Sequence, residues 1–169
     1  RGRTPPPYIG RSLAARGGCA RPSHLAAAGN TGASAARANV SGSVEADTEI
    51  TAQGLARALN ELSGATVCGG GAHVAMNQPH WLPARALAAW NLFSGMTRLA
   101  AGCFLFCRRD AFEACGGFSE KVYASEEIWL SMALARWGRR RGLEFVILHE
   151  SVTTSARKVD WLSAGAITR

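Results

Sequence analysis

The sequence predicts an α/β domain, a mixed sheet flanked by helices. Amphipathic segments with helical spacing alternate with short apolar runs of strand length, and glycines mark the joins between them. The chain has 169 residues, 47% of them hydrophobic, which suits one buried core in a single domain.

Residues 1–29 are rich in Arg, Pro, Gly and Ala, with Pro5, Pro6 and Pro7 in a row, and read as a poorly structured or non-native segment. A main domain is expected over 30–158 and a tail over 159–169. Within the domain, Leu55, Leu59 and Leu62 lie on one face of a helix, and residues 66–68 form a short strand. Gly69, Gly70 and Gly71 then read as a loop where backbone passes close to a substrate, since no P-loop Lys-Ser/Thr follows. Residues 79–93, with Trp81, Leu82, Leu87, Trp90 and Phe93, read as an apolar-aromatic helix starting near Pro83, packed mainly on the core. Residues 103–107 form a strand ending at Arg108 and Arg109, and 111–114 a short helix. A longer helix follows, N-capped by Ser125, with Leu130, Ala133, Leu134 and Trp137 at i, i+3, i+4, i+7 and Gly138 as its C-cap. Residues 144–148 are the last predicted strand.

The net charge of +7 comes mostly from arginine, densest at Arg136, Arg139, Arg140 and Arg141, where cations complement a helix C-terminus. No aromatic-interleaved basic surface or nucleic-acid-binding motif accompanies it, so no nucleic-acid partner is expected. The longest apolar run, 99–107, is too short to span a bilayer. A cytoplasmic location is expected, with peripheral membrane contact through the basic and aromatic segments. Five cysteines without CxxC spacing read as reduced, mostly buried thiols. The four histidines show no ligand spacing.

Chemistry concentrates at Glu126 and Glu127. Both sit in the first turn of the 126–138 helix, where the helix dipole and free amides favour the ionised carboxylate that a general base needs. A second acidic pair, Glu45 and Asp47, lies upstream.

In order, these features resemble the acceptor half of family 2 glycosyltransferases, inverting enzymes of the GT-A fold. The strand with its basic pair, the short helix, Gly116-Gly117-Phe118, the acidic pair, the helix-ending glycine, the 144–148 strand and Ser155-Ala156-Arg157 carry the likeness. Val44-Glu45-Ala46-Asp47-Thr48 resembles the family's metal motif at a strand end. The segment from Asn30 through Gly32 to Ala36-Arg37 resembles the one before that strand. The resemblance implies a nucleotide-diphospho-sugar transferase fold and a UDP- or GDP-sugar donor. It also implies Mg2+ or Mn2+ on Glu45 and Asp47, and a glycan or lipid-linked acceptor. Glu127 would be the base, where the family usually has Asp. Glu126, Gly116, Gly117 and Trp129 would lie on the substrate, and Arg157 near the diphosphate.

Residues 1–29 offer none of the strand, turn, helix and base-binding strand with which the family begins. The expectation is a partial or frame-shifted reading frame joined to a genuine C-terminal part, with first strands missing, a sheet edge left bare, and poor activity. The alternative is a non-catalytic remnant or accessory module that binds a glycan or protein partner; binding of a nucleoside diphosphate with divalent metal discriminates the two.

Overall fold

The computed structural model describes residues 25–77, 81–101, 103–120 and 126–155. In chain order these form α1 (Leu25–Ala35), β1 (Val40–Val44), β2 (Thr48–Glu49), α2 (Ala52–Ser63), β3 (Val67–Met76), α3 (Trp81–Thr97), β4 (Phe104–Arg108), α4 (Arg109–Ala114), α5 (Glu126–Arg139) and β5 (Glu144–Thr154). One five-stranded sheet has the order β1-β4-β3-β5-β2. The β3–β5 pair is parallel and the other pairs are antiparallel, so the sheet is mixed. The predicted α/β class therefore holds, with helices on both faces. Helix α1 runs through the boundary expected at residue 29.

One face packs Cys68, Leu105, Cys107 and Phe145 against Leu130 and Leu134 of α5, together with Ala111, Phe112, Phe118 and Ala26. The other packs Val67, Ala72, Val74, Phe104, Phe106, Leu148 and Val152 against Ala58 and Leu62 of α2, with Leu87 of α3 alongside. Helix α2 is N-capped by Thr51, whose side chain accepts from the Gly54 amide at 3.0 Å. It turns Gly54, Ala58 and Leu62 inward, while Leu55 and Leu59 are about two-fifths exposed at 41% and 39%. The expected leucine face is thus only partly buried. Small residues at i and i+4 let the helix lie close to β5.

The three glycines are not a loop but the buried middle of β3, the central strand. Their neighbours come too near to admit a side chain. A Cβ on Gly70 would stand on the Val146 carbonyl oxygen and 2.6 Å from Phe106 Cζ; on Gly71 it would be 2.6 Å from Ala100 Cβ. Gly138 is likewise a packing residue, buried within α5, where a Cβ would lie 2.6 Å from Cys68 Sγ. The turn after the helix is made instead by Gly142 at φ 70°, with the Leu143 amide bonding back to Gly138 O at 2.9 Å. The strand predicted at 144–148 continues to Thr154, and α3 begins at Trp81 with Pro83 in its first turn.

Beyond Gly71, β3 has outrun β4, whose pairing ends there. Asn91 of α3 takes the missing strand's place: its Nδ2 donates to Val74 O at 2.9 Å and its Oδ1 accepts from Val74 N at 3.0 Å. Strand β1 pairs on one side only among the described residues, leaving it at the sheet edge.

We expect Gly70→Ala to destabilise the chain by about 3 kcal/mol through overpacking. Gly42→Ala, where the nearest atom to a new Cβ is Leu105 O at 4.0 Å, should cost about 1 kcal/mol or less. Urea midpoints measure both; equal effects would show that close approach is not what fixes glycine in β3.

Candidate functional site at the C-terminal end of the sheet

Helix α5 runs antiparallel to β3. Its C-terminal Gly138 meets Cys68, and Ser131, seven residues back, accepts the Ala100 amide at 3.2 Å above Gly71. Continuing in that direction, the first turn with Glu126 and Glu127 lies toward the C-terminal end of β3. Glu126 is buried at 9% exposure and Glu127 is half-buried; the Glu127 carbonyl accepts the Ser131 hydroxyl at 2.7 Å. Trp129, one turn in, is 56% exposed.

Because β1 and β3 both run antiparallel to β4, they are parallel to each other, and Val44 ends β1 at this same end of the sheet. The Glu45 amide then donates to Cys103 O at 3.3 Å, and Thr48 opens β2, paired with Thr154 of β5. Residues 45–47 are therefore strung between the two outermost strands. Four Cα steps span at most about 14 Å, whereas four strand spacings in a flat sheet take about 19 Å, so this end of the sheet must curl. Curling brings the Glu45–Asp47 turn over the strand ends, the place where open α/β sheets bind ligands.

Two residues that sequence reasoning did not single out stand next to the acidic turn. The hydroxyls of the cross-strand pair Thr48 and Thr154 are buried with no hydrogen-bond partner among the described residues. Buried polar atoms are normally satisfied, so an orphan pair beside Asp47 is an unusual feature of this end of the sheet. Only the pairing register brings these threonines together: Thr48 closes the acidic motif, and no local motif marks Thr154. Glu45 and Asp47 supply hard oxygen donors suited to Mg2+ or Mn2+. Among the described residues no group of three or more His, Cys, Asp or Glu could hold a metal ion, so such an ion would need oxygens from substrate or water.

His73 and His149 show no ligand spacing in the sequence, yet the fold pairs them. The register between β3 and β5 shifts between Ala72–Leu148 and Val74–Val152, and this places the two imidazoles edge to face with centroids 5.1 Å apart. Burial, and then the proximity of His149, push the His73 pKa below its ordinary 6.5.

Two of the motif segments meet elsewhere. The Asn30 side chain accepts from Phe118 N at 2.8 Å and donates to Phe118 O at 3.0 Å, pinning the turn in which Gly116 and Gly117 take φ of 81° and 71°. Gly117 packs against Asn30 and Phe112, so the described contacts of the Gly-Gly-Phe turn are structural. The basic pair ties loops: Arg108 donates to Val67 O and Gly64 O, and Arg109 to Ala36 O. Ser125 and Arg157 lie outside the described residues. Cys68, Cys107 and Cys115 are free thiols, with burial pushing Cys68 up to about 11 and Cys107 up to about 12. In the basic patch, Arg141 stacks over the Trp137 ring at 4.3 Å.

Comparison with models of known families, with curated proteins and with solved structures gave no match to this chain.

The histidine pair gives a signed expectation. A histidine whose folded pKa lies below its unfolded value takes up a proton on unfolding, so its contribution is fully present above pH 6.5 and is lost as pH falls through the lowered value. The urea midpoint should fall as the pH drops from 6.5 through the lowered value, and His73→Gln should flatten the dependence in that window. An unchanged pH profile in the variant would remove His73 as the source.

Proposed function

We propose that this chain carries the acceptor half of an inverting, family 2-like glycosyltransferase site at the C-terminal end of its sheet. The observation that carries the reading is that Glu45 and Asp47, after β1, and Glu126 and Glu127, in the first turn of α5, all lie at that one end of the sheet. The outer side of β1, unpaired among the described residues, supports it, since the resemblance expects further strands there.

In this reading the Glu127 carboxylate takes the proton from an acceptor hydroxyl as its oxygen attacks the anomeric carbon of a nucleotide-sugar. The bond from that carbon to the diphosphate breaks on the opposite side, which inverts the centre. Glu126, buried beside it, orients the base or the acceptor. Glu45 and Asp47 would hold Mg2+ or Mn2+, which supplies charge neutralisation at the departing diphosphate. Trp129 presents an exposed aromatic face of the kind on which a sugar ring stacks. Arg157 belongs to the proposal through the sequence resemblance alone. The second reading, a non-catalytic glycan- or protein-binding module, is favoured by the structural role of the Gly116-Gly117 turn, which leaves fewer groups for substrate.

The test is binding of UDP and GDP with Mn2+, followed by transfer from the matching sugar donor, using the 169-residue chain and a version extended upstream. Asp47→Ala should weaken metal-dependent nucleotide binding by about tenfold or more. Glu127→Gln should leave that binding within about twofold while lowering transfer by about 100-fold or more. Metal-independent binding, or full transfer in the Glu127 variant, would overturn the assignment; glycan binding without nucleotide binding would establish the second reading.

A further inference from the structure

Beyond Leu87, which packs on the core, helix α3 turns polar side chains inward. Asn91 and Ser94 point into the protein, where Asn91 bonds both polar groups of Val74 and the Ser94 hydroxyl donates to Leu99 O at 2.6 Å. The opposite side is apolar and faces solvent. Ala88, Ala89, Leu92, Phe93 and Met96 lie on it over three turns, with Leu92, Phe93 and Met96 exposed by 67%, 48% and 78%. A helix ordinarily turns such a stripe inward, and an outward stripe of large side chains marks an interaction surface.

The charges around the stripe indicate what covers it. Helix α3 contains no Asp or Glu, and exposed Arg85 and Arg98 stand toward its two ends, Arg98 also bridging Glu144 at 3.2 Å. With no acid on α3 to meet them, these arginines disfavour a second copy on this face and favour an anionic surface. No described helix is long and apolar enough to cross a membrane. We propose that α3 lies in the plane of a bilayer bearing anionic headgroups, with Leu92, Phe93 and Met96 among the upper acyl chains and Arg85 and Arg98 at the phosphates. This surface is independent of the sugar-transfer reading and stands or falls without it.

Cosedimentation of the full chain with phosphatidylcholine–phosphatidylglycerol vesicles, and with phosphatidylcholine vesicles, tests it. Binding should be at least about tenfold stronger to the anionic vesicles and fall steeply with salt. Leu92→Gln with Met96→Gln should cut it by about tenfold or more while the circular dichroism spectrum stays that of the wild type. In the wild-type chain, hydrogen exchange over α3 should slow when anionic vesicles are added, a readout that needs no variant. No binding, binding indifferent to the double substitution, or protection elsewhere but not in α3 would overturn the proposal. So would self-association that the same substitutions abolish, because a second copy would then be the occupant.

Discussion

The close approach around Gly69–Gly71 is the constraint on which the rest of this structure depends. Central strand β3 hydrogen-bonds to β4 and β5, and the bare backbone of its middle lets Phe106, Cys107 and Ala100 sit where side chains of β3 would otherwise stand. The Ala100 contact bears most on the candidate site. The segment that carries it is held by Ser131 of α5, so the height of α5 above the sheet, and with it the position of Glu126 and Glu127, is set by the absence of side chains on β3.

Much of this was legible in the sequence, for reasons that are local. Helix α5 announces itself by acids at its start and apolar residues at helical spacing, and β4 by an apolar run ended by a basic pair. The errors arose where a local signal had a tertiary cause. Three glycines in a row look like a loop because glycine is costly in strands, and only the neighbours across the sheet reveal why the cost is worth bearing. Gly138 was read as a cap by position, but Gly142 has the positive φ and Gly138 serves Cys68. In α2, leucine spacing suggested the buried face, whereas the smaller Gly54 and Ala58 allow nearer packing.

The candidate site was legible to the same degree and for the same reasons. Its two acidic pairs stand out as residue types at strand and helix ends. Thr48 with Thr154 and His73 with His149 become pairs only through strand register, and the register of β3 with β5 is irregular where the histidines meet. The reversed polarity of α3 was also hidden. Its apolar content suggests burial, but Asn91, which both donates to and accepts from Val74, fixes which side faces in.

The suspension of residues 45–47 between β1 and β2 bears on how the chain folds. Val40 pairs with Arg108 and Thr48 with Thr154, so both anchors of the acidic turn are closed by segments far downstream. Closing such loops costs entropy that local contacts do not return. During synthesis, therefore, Glu45 and Asp47 emerge early but acquire their positions only after β5 has left the ribosome. Whatever chemistry they perform is withheld until nearly the whole sheet exists.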